Sequence, residues 1–170
     1  MAYKISGTEL IKDDQTVTFN NITATQRAIV FNGIGASASF GYAVGGQTTT
    51  TIDKYSFSSD GNATDVGDLL AGLSSAATSA SSTHGYAAGG GPTTDTIQKW
   101  SFAVDGNATD VGDLLGGMNY AAGQQSSTSG YSSGGSDASG TPSNVIQKFP
   151  FSSDANATDC LLYTSPSPRD

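Results

Sequence analysis

Residues 60–70 and 105–115 of this chain are identical, reading Asp-Gly-Asn-Ala-Thr-Asp-Val-Gly-Asp-Leu-Leu in both places at an offset of 45. An identity of that length at a fixed spacing marks an internal repeat, and a repeat governs the fold before any other signal is read. Two further landmarks keep step with it. Gly41-Tyr42-Ala43-Val44-Gly45-Gly46 returns as Gly85-Tyr86-Ala87-Ala88-Gly89-Gly90 and as Gly130-Tyr131-Ser132-Ser133-Gly134-Gly135. Ile52-Asp53-Lys54-Tyr55-Ser56-Phe57 returns as Ile97-Gln98-Lys99-Trp100-Ser101-Phe102 and as Ile146-Gln147-Lys148-Phe149-Pro150-Phe151. A third copy of the long identity starts at Asp154, with Ala155 in place of glycine.

Each unit reads as four short strands. The Gly-Tyr strand ends in a diglycine (Gly45 and Gly46, Gly89 and Gly90, Gly134 and Gly135), where positive φ or a bulge is expected. The strand carrying Tyr55, Trp100 or Phe149 has the β-branched and aromatic residues of a buried pleated surface. Asp60-Gly61 and Asp105-Gly106 then predict tight hairpin turns. Residues 63–69 and 108–114 form the next strand, and the small-residue stretches 76–84 and 121–129 the fourth.

Glycine, serine and threonine fill 66 of the 170 positions, a composition that fits either disorder or a small-residue β fold. The repeat selects the second. Four strands per ~45 residues is the pattern of a propeller blade, so the expected fold is all-β: an incomplete β-propeller of about three blades, each of four antiparallel strands. Small side chains fit the crowded strands near the axis, while Tyr55, Trp100 and Phe149, with Phe57, Phe102 and Phe151, fill the wider space between blades. A parallel β-helix is the structural rival, but its period is shorter and its hairpin signals fewer.

At these residues the chain resembles the kelch-type propellers. A small or hydrophobic strand ends in Gly-Gly and an aromatic follows nine or ten residues later. The later tryptophan of the usual kelch unit is absent, with Val66 and Val111 in its place. The resemblance covers residues 27–159 and implies the fold, not an activity, because propellers serve many functions.

Composition and motifs exclude several chemistries. A net charge of −8, with five Lys and two Arg dispersed along the chain, argues against nucleic acid as a partner. No apolar run approaches the ~20 residues of a membrane span, and the first ten residues lack the pattern of a secretory signal. His84 is the only histidine and stands where the other copies have Phe40 and Ser129, so a repeat position explains it better than catalysis. No Cys/His cluster offers a zinc or copper site, and no metal or cofactor is expected. The Asp60-to-Asp65 segment and its copies offer oxygen ligands for calcium, but a turn in which Asp and Asn bond their own backbone accounts for them. Asn62, Asn107 and Asn156 open Asn-Ala-Thr triplets that match the glycosylation pattern, and turn chemistry again explains them better. No Walker-type loop and no paired carboxylates set aside for acid–base work appear, so the chain reads as no enzyme. The unequal polar loops 47–51, 91–96 and 136–145 read equally well as a recognition face or as tolerated surface variation.

Residues 1–26 stand outside the repeat and predict two strands around a turn at Asp13-Asp14. Lys4-Ile5-Ser6-Gly7-Thr8-Glu9-Leu10-Ile11, followed by Asn20-Asn21-Ile22, resembles the openings of tail-fibre and other virion proteins of aquatic bacteriophages. That resemblance implies a phage structural or tail-associated protein, located in the virion and acting in assembly or host-surface recognition. A protein or a cell-surface glycan is the implied partner, with homo-oligomerisation through virion assembly. The alternatives are a cellular kelch-like interaction scaffold in the cytoplasm, or a fragment of a propeller carbohydrate-active enzyme or oxidase. At the other end, the third repeat breaks after Asp159, and residues 160–170 resemble the translation of a transposase adapter used in DNA library preparation. That resemblance implies a biological sequence of 1–159, cut within a blade.

Overall fold

The computed structural model describes residues 3–5, 8–11, 39–46 and 49–162. Two compact units result, Met1–Ala38 and Ser39–Asp170. In the first, β1 (Tyr3–Ile5) and β2 (Thr8–Ile11) pair antiparallel, with Ile5 opposite Thr8. This pair closes between Ile5 and Thr8, whereas the turn expected at Asp13-Asp14 lies outside the described residues.

The second unit is three antiparallel sheets, one per repeat, that do not close on themselves: an incomplete propeller-like all-β fold. Sheet I holds β3 (Phe40–Val44), β4 (Thr51–Ser56) and β5 (Thr64–Asp68). Sheet II runs β6 (Ala77–Ala80), β7 (His84–Ala88), β8 (Thr94–Ser101) and β9 (Thr109–Met118). Sheet III repeats the order with β10 (Ala122–Gln125), β11 (Ser129–Ser133), β12 (Val145–Pro150) and β13 (Thr158–Leu162). The last strand continues three residues into the segment that resembles an adapter.

The small-residue stretches behave differently from the expectation that they complete the preceding unit. β6 and β10 pair with the Gly-Tyr strands that follow them, β7 and β11, and so open a sheet. The reason is local: Ser81 Oγ accepts from the backbone N–H of Thr83 (3.2 Å) and of His84 (3.0 Å), and Ser126 does the same for Thr128 and Ser129, which folds each Ser-Ser-Thr into a hairpin turn. Sheet I's counterpart of this strand falls among residues outside the description. Where β10 meets β6 the backbones nearly touch, since a Cβ on Gly123 would lie 2.0 Å from the Thr78 carbonyl oxygen. Position 123 therefore has no room for a side chain.

Two hydrophobic clusters hold the array together, and each spans a junction. Ile52, Leu69 and Leu73 of sheet I share one with Ala87, Trp100 and Ala108 of sheet II. Tyr86, Ile97, Leu114 and Met118 of sheet II share the other with Phe149 and Ala157 of sheet III. A sheet here has no private core; burial is achieved only against its neighbour.

Candidate functional site

The residues singled out by the repeat are architectural, and the structure shows how. All six diglycine residues have positive φ, from 66° at Gly89 to 146° at Gly46. At Gly89 the requirement is twofold, because an added Cβ would also stand 2.7 Å from the Met118 carbonyl oxygen. The glycine of each Gly-Tyr pair has a separate role. Gly85 sits opposite Trp100 and Gly130 opposite Phe149, and a Cβ on either would lie within 2.3 Å of the facing ring. The ring lies across the bare backbone, which is how Trp100 and Phe149 become buried. Tyr55 faces Gly41 in the same way, yet remains 39% exposed.

The Asp-Gly dipeptides do not form two-residue hairpin turns. Residues 57–63 and 102–108 are longer loops, and β5 and β9 begin at Thr64 and Thr109. The loop of one sheet instead docks on the last strand of the sheet before it. Asn107 Oδ1 accepts from the Asp68 N–H at 3.1 Å, and the Ala108 N–H donates to the Asp68 carbonyl at 2.8 Å. One junction further on, Asn156 accepts from Asp113 at 3.1 Å and Ala157 donates back at 2.7 Å. Beside these bonds, Lys54 pairs with Asp105 at 2.9 Å and Lys99 with Asp154, which raises the pKa of Lys54 through its hydrogen bond to Asp105. Tyr42 stacks on Phe102 at 4.9 Å between ring centres, and Tyr86 on Phe151 at 4.8 Å. Burial raises the phenol pKa of both tyrosines.

The receiving strand is shaped for this loop. Val66 and Val111 mark a bulge, because Ile97 faces Gly112 while Gln98 faces Asp110. The carboxylate of Asp65 or Asp110 accepts from the N–H two residues on, at 3.1 Å. Of the carboxylates and amides considered for calcium, those of Asp65, Asp105, Asn107, Asp110, Asp154 and Asn156 are engaged with their own chain. A further pair was not singled out by sequence: Gln98 and Gln147 are almost fully buried, and their side-chain oxygens accept from Leu70 N–H (2.7 Å) and Leu115 N–H (2.6 Å) of the preceding sheet. Their signal was present, since the same residue type recurs one period apart in an apolar strand.

His84 opens β7, with Nδ1 2.8 Å from Thr83 Oγ1. Burial lowers its pKa, and repulsion from Lys99 lowers it further against the opposing pull of Asp154. Among the described residues, no three His, Cys, Asp or Glu side chains converge as a metal site.

The loops after the diglycines are the unequal segments of the repeat. Residues 47 and 48 of the first fall outside the description. The loop 136–145 is built on Asp137, whose carboxylate accepts from Ser139 N–H (2.8 Å) and Thr141 N–H (2.9 Å) while its backbone N–H donates to the Thr141 carbonyl (3.0 Å). Residues 137–139 of this loop, with 93–95 and 116–118 of sheet II, border an open groove of about 500 Å³. Asp95, exposed at its rim, shares the lining with Thr93, Thr94 and Ser139. The groove is open to solvent, and its lining mixes polar groups with the apolar surface of Gly116, Gly117, Met118 and Ala138. Comparison with known proteins finds no matching family model and no similar curated protein.

Proposed function

We propose that this chain is a non-enzymatic interaction protein, a rigid repeat scaffold that presents the groove between loops 91–96 and 136–145 to a polyhydroxylated surface such as a cell-surface glycan. The observation that carries this reading is the groove itself. It is the place where the two repeats diverge most in loop length, and its rim groups, Asp95 and the Thr and Ser hydroxyls, are hydrogen-bonding partners for sugar hydroxyls. Unequal loops on a repeated, rigid frame are where recognition is placed in such architectures. Together with the resemblance of the opening segment to phage virion proteins, this supports a tail-associated role in host-surface recognition. The test is a glycan array probed with the full chain and with two variants, Asp95→Ala and a loop 136–145 shortened to the length of 91–96. Binding to a defined glycan set that both variants lose, with unchanged melting temperature, is the expected outcome. Binding no better than background in the parent chain rejects the reading.

A further inference from the structure

The two sheet junctions use one set of four loop residues: Phe102, Asp105, Asn107 and Ala108 of sheet II, and Phe151, Asp154, Asn156 and Ala157 of sheet III. Sheet I carries the same four residue types at the same offsets, Phe57, Asp60, Asn62 and Ala63. Their surroundings are opposite. Ala108 and Ala157 are 3% and 4% exposed, whereas Ala63 is exposed and Phe57 is 61% exposed. Among the described residues, Asp60 has no lysine and Asn62 no backbone N–H to match those of the later copies.

We infer that this face of sheet I is a docking surface for a further sheet of the same repeat pattern, carrying Tyr, Lys and Gly at the register positions of Tyr42, Lys54 and Gly67. The requirement for each follows from the existing junctions. A tyrosine stacks on the open phenylalanine, and a lysine neutralises Asp60 as Lys54 does Asp105. A glycine must stand at the bulge, because a Cβ on Gly67 would lie 2.3 Å from the Gly106 carbonyl oxygen and one on Gly112 2.6 Å from that of Ala155. Both obstacles are backbone, which cannot swing aside.

The glycine requirement also identifies which sheet is refused. The presenting side of sheet III offers Tyr131 and Lys148, but the position facing Ile146, where Gly112 faces Ile97, is Leu161. A second copy of this chain therefore does not dock head to tail on sheet I; a repeat with glycine at the bulge does. This assembly face is distinct from the groove proposed for glycan contact and stands independently of it.

The test extends the chain with its own sequence. A copy of residues 83–127 inserted between Ala38 and Ser39 keeps the repeat in register and places the copies of Tyr86, Lys99 and Gly112 ahead of sheet I. Ala63→Cys, in a Cys160→Ser background, reports on the face by its rate of thiol labelling. The expected result is fast labelling in the unextended chain and labelling slowed by about tenfold or more in the extended one. Changing the copied glycine to leucine restores the fast rate. Equal rates in the two chains overturn the inference, as does protection already present in the unextended chain, which would mean its own residues or a second copy cover the face. A second variant avoids dependence on the insertion folding. Cys160→Val, Leu161→Gly and Leu162→Asp together give sheet III a glycine-bearing bulge, and sedimentation velocity should show concentration-dependent association that the parent chain lacks. Association in the parent equal to that of the triple variant refutes the glycine rule, and its absence in both refutes the docking surface.

Discussion

Replacing Gly112 with alanine should uncouple sheet III from sheet II while leaving the first junction intact. Gly112 has φ of +145°, a conformation open to glycine and strained for any other residue by about 1–3 kcal/mol. The new methyl would also lie 2.6 Å from the Ala155 carbonyl group and 2.9 Å from the Asn156 nitrogen, so the docked loop has to withdraw. Withdrawal breaks the Ala157-to-Asp113 bond at 2.7 Å and the Asp113-to-Asn156 bond at 3.1 Å, each worth about 0.5–1.5 kcal/mol. The combined cost is about 2–6 kcal/mol, of the same order as the whole stability of a small domain. Gly116→Ala, also in β9, is the control: nothing lies within 4 Å of its Cβ and its φ is unremarkable, so it should be neutral or stabilising by up to about 1 kcal/mol.

The assay is urea unfolding read by two probes. Far-UV circular dichroism follows all three sheets, and the fluorescence of the single tryptophan, Trp100, follows the cluster between sheets I and II. In an array where each sheet is stabilised by its neighbours, a broken junction splits the transition instead of shifting it as a whole. Gly112→Ala should lower the circular dichroism midpoint far more than the tryptophan midpoint. Gly67→Ala, whose Cβ meets Gly106 at the first junction, should lower the tryptophan midpoint directly. If Gly112→Ala and Gly116→Ala unfold alike, or if the two probes move together in every variant, the docked loop is not what joins the sheets.

Gln98→Ala leaves the Leu70 N–H without its acceptor and opens space at a fully buried position, so it should destabilise by about 2–4 kcal/mol in the same urea assay; a change below 1 kcal/mol would show that water replaces the bond. A double-mutant cycle on Tyr42→Ala and Phe102→Ala should return a coupling of about 0.5–1.5 kcal/mol for the stacked pair, and additive single effects would refute the stack. His84 has a folded-state pKa below its unfolded value, so its neutral form is favoured on folding; stability is complete above pH 6.5 and declines as pH falls through the lowered pKa. His84→Ser, the residue type of the third repeat, should flatten the melting temperature between pH 7 and pH 5, where the parent chain loses stability; an unchanged slope would assign the loss to the carboxylates.

Strand identity was legible because the evidence for it is local. Gly-Tyr ending in Gly-Gly, and Ile-x-Lys-aromatic, each carry their own backbone preference, and both appear as strands close to their expected limits. The reading of Asp-Gly as a tight turn failed for an equally physical reason. A turn residue can be satisfied by its own backbone or by another element, and Asp105 and Asn107 bond to Lys54 and Asp68, more than thirty residues away. Local turn chemistry and long-range docking favour the same residue types, Asp, Asn and Gly, so composition alone does not separate them.

What separates them is the pairing of differences between copies. Asp53 stands where Gln98 and Gln147 stand, and only the last two have a preceding sheet among the described residues from which to accept an N–H. Ala63, Ala108 and Ala157 are the same residue, yet only the second and third are buried, because only they dock. Identity across repeats thus records the rule of the junction, and exposure records whether the junction is made. A residue whose repeat counterparts are buried and bonded, but which is itself open, marks an interface that the described chain leaves unfilled. The groove beside Asp95 is not found this way, because the loops that border it differ in length between copies and have no internal counterpart to be measured against.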